Sequence, residues 1–214
     1  MEKANVYFTT FKATEHENLL QKLHRLMKTA GFENIDFTDK YAAIKIHFGE
    51  YGNLAFLRPN YARVVADYVK ELGGKPYLTD CNTLYVGSRK NALDHLETAY
   101  INGFSPYQTG CHVIIGDGLK GTDEAIVPIN GEYVKEAKIG QAVMDADIFI
   151  SLTHFKGHRR KYRPLTGVGS TTVRQCSSIR ISISAISSQE TVLMSWVSRP
   201  KRPQRSSSHT YIRI

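Results

Sequence analysis

Apolar positions along the chain repeat with two periods, one suited to strands and one to helices. Asn5 to Thr10 is short, β-branched and aromatic, and predicts a strand. Leu19, Leu20, Leu23, Leu26, Met27 and Ala30 then recur at spacings of three and four, which predicts a helix stopped by Gly31. Tyr41 to Phe48 reads as a second strand, and Pro59 suits the first turn of a helix whose apolar side is Tyr61, Val64, Val65, Tyr68, Val69 and Leu72. Pro76 to Asp80 predicts a strand, Asn91 to Tyr100 a helix, and Val113 to Ile115 a further buried strand. Glu124 to Pro128 and Tyr133 to Ile139 flank Asn130-Gly131, a pair that accepts the positive φ angles of a hairpin turn. A short helix over Gly140 to Ala146 leads into Ile148-Phe149-Ile150-Ser151-Leu152. That run is nearly continuous in apolar residues, as in a strand covered on both faces. The alternation as a whole predicts an α/β fold with a mostly parallel sheet, flanking helices and a β-hairpin insertion.

Past His158 the pattern dissolves. Residues 159–214 carry 11 Lys or Arg against the single acid Glu190, with 12 serines, so the tail holds a balance of +10 out of a chain total of +8. The first 158 residues, with 17 basic and 19 acidic side chains, are close to neutral. The chain therefore divides into an α/β domain, 1–158, and a basic Ser/Arg-rich tail, 159–214, expected to be poorly folded: disordered, or read out of frame. Ile179, Ile181 and Ile183 alternate as a strand would. A nucleic-acid-binding or interaction arm is the alternative use of the tail. Nucleic acid is not the expected partner, because the tail lacks aromatics interleaved for base stacking.

Composition narrows the classes further. A content of 42% hydrophobic residues over 214 positions supports a sizeable core. No stretch approaches the roughly 20 apolar residues of a membrane span, and no secretory signal is visible, so a cytoplasmic protein is expected. Cys81, Cys111 and Cys176 are too scattered for a disulfide framework or a paired-cysteine metal site, and read as free thiols.

Candidate chemistry collects where strands end. Lys45, His47 and Glu50 follow the second strand; Asp80, Asn82, Tyr85 and Arg89 follow the third; Asp117 and Lys120 follow Val113 to Ile115; His154, Lys156 and His158 follow the last apolar run. In a parallel sheet these loops share one rim, where α/β proteins bind ligands. Lys45, Asn82, Tyr85, Arg89 and Lys156 are the expected binding groups for a small anionic ligand. Lys45 stands out, because an ammonium between Ile44 and Ile46 is costly unless paired. Lys45 or His154 would move a proton, with Asp80 orienting a histidine. A divalent metal is the other expected occupant, held by His154 and His158 with His47 or Asp80 as the third ligand. His95 and His112 read as structural. Gly116-Asp117-Gly118-Leu119-Lys120-Gly121 matches a dinucleotide fingerprint by letter, but a β-like run rather than a helix follows it.

Four stretches, Lys45-Ile46-His47-Phe48-Gly49-Glu50, Phe56-Leu57-Arg58-Pro59, Thr79-Asp80-Cys81-Asn82-Thr83-Leu84-Tyr85 and Thr153-His154-Phe155-Lys156-Gly157-His158, occur in that order. Together they resemble the N-terminal part of the uncharacterised iron-sulfur centre proteins, the domain of unknown function 362. The resemblance implies a redox parent whose glycine-rich stretch and cysteine-bearing insert hold [4Fe-4S] clusters. Only Thr166-Gly167-Val168-Gly169 echoes the glycine-rich stretch here, and the clustered cysteines are missing. The resemblance thus implies a truncated or frameshifted relative, with no cluster expected in this chain.

Overall fold

The computed structural model describes residues 5–129, 131–156, 165–166, 179–186 and 191–196. Its centre is four parallel strands in the order β7-β2-β3-β4: β2 (Tyr41–Lys45), β3 (Lys75–Asp80), β4 (His112–Ile115) and β7 (Ile148–Lys156). β2 pairs with β3 from Tyr41↔Lys75 to Lys45↔Thr79, and with β7 from Ala42↔Ile148 to Lys45↔Ser151. Beyond β7 the sheet continues through β9 (Ile179–Ile186), parallel to it, then β10 (Thr191–Trp196) and β1 (Asn5–Thr10), both antiparallel to their neighbours. The two-residue β8 (Leu165–Thr166) pairs with the end of β7. The described parts of the tail are therefore strands, including the Ser/Ile alternation from Ile179; the rest of the tail lies outside the described residues.

Strand alternation sends side chains into two separate cores. Ala42, Ile44, Leu78, Ile148 and Ile150 pack against α1 (Leu19–Thr29), α2 (Pro59–Glu71) and α3 (Ala92–Ile101). Ala43, Tyr77 and Phe149 face the other way, onto the hairpin β5 (Glu124–Pro128) and β6 (Glu136–Gly140) and the short α5 (Gln141–Met144). Two buried faces explain why Ile148 to Leu152 reads as an unbroken apolar run.

Local chemistry sets the element ends. Asn18 and Gln21 form a reciprocal capping box on α1, Pro59 occupies the first turn of α2, and Asn91 caps α3. The structure differs from the sequence expectations in four places. β2 ends at Lys45 rather than Phe48, since only the Ile46 N–H goes on to bond β3, at the Thr79 carbonyl. β6 begins at Glu136 rather than Tyr133, because the connection closes through Ile129 to Lys135 and Gly131 to Val134; Asn130 lies outside the described residues. β4 is an edge strand with Ile114 exposed, not a fully buried one. A one-turn helix, α4 (Pro106–Thr109), started by Ser105 and Pro106, has too few residues to show a period.

The course of the chain fixes one further point. β2, α2, β3, α3 and β4 progress along the sheet with helices on one face. The chain then crosses the opposite face through the hairpin and α5 and enters β7 on the far side of β2. The direction of winding reverses between β2 and β7, which makes their carboxyl ends a topological switch point.

Candidate functional site

Lys45 closes β2 at the switch point and is only 4% exposed. Its ammonium lies 3.5 Å from Asp80 Oδ1 at the end of β3. The costly lysine within an apolar strand therefore has its counter-charge. Asp80 also accepts the Cys81 N–H, and its other oxygen lies 3.3 Å from Arg89 Nη1.

Arg89 joins the two loops that follow β2 and β3. It is 3% exposed, and its Nε donates to Glu50 Oε1 at 3.1 Å. Its Nη2 reaches the same Glu50 oxygen, the Tyr85 hydroxyl oxygen at 2.8 Å and His47 Nε2 at 3.0 Å. Tyr85 in turn donates to Glu50 Oε1. Burial acts to raise the Glu50 pKa, but the donors on Arg89 and Tyr85 outweigh it and hold the carboxyl below its usual range. Burial, with Glu50 beside it, pushes the Tyr85 phenol up and keeps it a donor. Two cations and two carboxylates make the cluster neutral. The expected free clamp of lysine and arginine is thus internally paired, because a buried unpaired cation would carry a heavy desolvation cost.

Asn82 links two of the rim loops. Its side-chain amide donates to Asp117 Oδ1 and to the Gly118 carbonyl, each at 2.9 Å, so it ties the loop after β3 to the loop after β4. Its Oδ1 faces His95 Nδ1 at 3.4 Å, which brings His95 from α3 to the back of the site. From sequence His95 reads as structural; its position on α3 three residues before buried Thr98 gives no sign of the neighbouring charges. Burial pushes the Asp117 carboxyl up. Gly118 and Gly121 turn this loop with positive φ, and β5 follows it, so the glycine triplet is a loop hinge and not a helix-capping phosphate cradle. Lys120 is exposed on its outer side.

The structure therefore brings together Lys45, His47, Asp80, Tyr85 and Arg89, with Arg89 touching His47, Asp80, Tyr85 and Glu50. His154 and Lys156 belong to β7, whose backbone runs past the last β2 pairing toward the same rim; their side chains, and all of His158, lie outside the described residues. The expected metal set of His47, His154 and His158 is accordingly not placed. Among the described residues no group of three or more His, Cys, Asp or Glu side chains is arranged to hold a metal ion.

Cys81 and Cys111 are free thiols at opposite ends of the β3–β4 pair, on the order of 15 Å apart by strand rise. Burial pushes Cys81 up to about 12, with Asp117 and Asp80 adding to it, and pushes Cys111 up to about 11. At that separation the two thiols cannot ligate one iron-sulfur cluster together. No helix among the described residues is long and apolar enough to cross a membrane.

With this geometry in hand, comparison with known proteins is informative about family. The family model described as Domain of unknown function (DUF362) matches residues 42–167, more than half the chain, and the chain belongs to that family. The match runs to residue 167, past the boundary at 158 suggested by composition. No curated protein matches. Among solved structures, the chain is similar to the lactate racemase apoprotein from Thermoanaerobacterium thermosaccharolyticum, at 9% identity and a TM-score of 0.39. The similarity covers 70% of this chain, which spans 31% of that protein's length.

Proposed function

We propose, from membership of this family, that the chain is the ligand-binding α/β part of an iron-sulfur redox protein. In this reading it holds a small anionic or metal-containing ligand at the rim where β2 and β7 part. The observation that carries the reading is the coincidence of the switch point with the buried Lys45–Asp80–Arg89–Glu50 cluster. Buried ion-pair clusters add little to stability relative to apolar packing, whereas binding sites need charges held in a water-poor setting. Here Asp80 sits between the Lys45 ammonium and the Arg89 guanidinium, and so keeps both cations oriented. In an enzyme of this design Lys45 or His154 transfers the proton, while Arg89 and Lys156 hold the anion. The clusters belong to a cysteine-bearing part of the parent that the tail of this chain does not supply.

Amide chemical shifts of the isotope-labelled full chain, titrated separately with inorganic phosphate, acetate and zinc chloride, test the reading. At least one probe is expected to shift residues 45–50, 80–89 and 151–156 at saturation, with the response lost in Lys45→Met. Binding confined to other surfaces, or no saturable response to any probe, would overturn it.

A further inference from the structure

The contacts of Glu50 identify the class of ligand. This inference rests on the rim being a ligand site. Of the two carboxylates on Arg89, Asp80 is fixed at the end of β3 and nearly buried, while Glu50 is 30% exposed and comes from a loop. That loop is turned by Gly49 and Gly52, both at positive φ, and nothing lies within 4 Å of the place a Gly52 side chain would occupy. Glu50 also meets the guanidinium in an unusual way. Arg89 Nε, Arg89 Nη2 and the Tyr85 hydroxyl all converge on Oε1, instead of the two-oxygen fork that carboxylates prefer with arginine.

A second feature sits beside it. The Gly49 N–H donates to His47 Nδ1 at 2.9 Å, so in the neutral ring the proton is on Nε2. His47 Nε2 lies 3.0 Å from Arg89 Nη2. Around this polar centre the same two loops turn apolar side chains outward: Tyr51 and Leu54 on one, Leu84 and Val86 on the other, with Leu84 98% exposed.

We infer that Glu50 stands in for the ligand's own head group, and that the ligand is a small organic monocarboxylate with an apolar body. Its carboxylate displaces Glu50 from the Nε/Nη2 edge of Arg89, accepts from Tyr85, and lays its body against the apolar lip. Charge decides for a monoanion. The cluster is neutral, and exchanging one carboxylate for another keeps it so, whereas a phosphate dianion adds negative charge beside Asp80. A tethered carboxylate competes at an effective concentration in roughly the millimolar range, so its removal should raise affinity for an added carboxylate.

Calorimetric titration of the full chain with benzoate, acetate and inorganic phosphate tests this, in wild type, Glu50→Ala and Glu50→Gln, with circular dichroism to check folding. Glu50→Ala should bind benzoate about tenfold more tightly than wild type. Benzoate should bind ahead of acetate and of phosphate, and adding Tyr85→Phe should cost several-fold. If Glu50→Ala does not fold, Glu50→Gln, which keeps the shape and removes the charge, should show the same order with a smaller gain. Unchanged or weaker benzoate binding in the folded variants overturns the exchange. If phosphate, acetate or zinc still perturbs the rim amides of wild type, the ligand-site reading survives that result. If none does, both fall.

Discussion

His95 is completely buried, and its ring shows how a single residue can report on the state of this site. Asn82 uses its amide hydrogens on Asp117 and Gly118, so its Oδ1 is an acceptor and His95 Nδ1 carries the proton. Nε2 is then a bare lone pair, buried with no hydrogen-bond partner among the described residues. Burial is the main reason the ring's pKa falls to about 4; Asp80 opposes that fall and Arg89 adds to it. The unfolded ring takes up a proton near 6.5 while the folded ring does not until about 4. Stability from this group is therefore complete above 6.5 and is lost as pH falls through that window, by about 3 kcal/mol in all. Urea unfolding between pH 7.5 and 4 should show this slope, and His95→Gln should remove most of it. Lys45 was legible in the sequence because two isoleucines flank it. Glu50 was legible only as a polar group at a strand end, and neither its pairing nor that of His95 could be read, since their partners lie 39 and 13 positions away.

At the scale of elements, the hairpin reaches the site through one glycine. A Cβ on Gly140 would lie 2.6 Å from the Gly116 carbonyl oxygen and 3.0 Å from Cys81 Sγ. The end of β6 is thereby pressed against the loop that carries Asp117. Gly140→Ala should destabilise the protein by about 1–3 kcal/mol, as overpacking of a close contact does. The shift should also reach the amides of Asn82 and Asp117. Gly52→Ala meets open space and should cost only about 1 kcal/mol, from its positive φ. Urea midpoints for the two variants check the ranking. Strand and helix identities were readable from period, because packing on two faces demands it. The extent of β6 was not, since Tyr133 and Val134 are apolar but exposed in the connection. Nor does any local pattern in Asn5 to Thr10 reveal which strand it joins.

For the molecule as a whole, that last pairing matters most. Among the described residues β1 pairs with β10, Asn5 opposite Trp196 and Thr10 opposite Thr191, while the parallel strands β2, β3, β4 and β7 pair with one another and β7 also with β9. Deleting residues 159–214 should therefore leave the amides of β2, β3 and β4 protected from hydrogen exchange. It should expose those of β1, whose remaining ties are side-chain packing of Tyr7 and the Lys22 contact with the Thr10 carbonyl. Equal protection of β1 in the shortened chain would show that the edge does not depend on the tail.

On a ribosome this arrangement imposes an order of events. β1 waits for β10 to be made, with Tyr7 finally meeting Met194. Synthesis at about 5–20 residues per second separates them by roughly 10 to 40 seconds. Throughout that interval Val6 and Phe8 sit on an unmatched strand, the kind of segment that pairs with a neighbouring chain. The parallel pairs of β2, β3 and β4 can form during that time from contacts closer in sequence, so the pairing of β1 with β10 follows them.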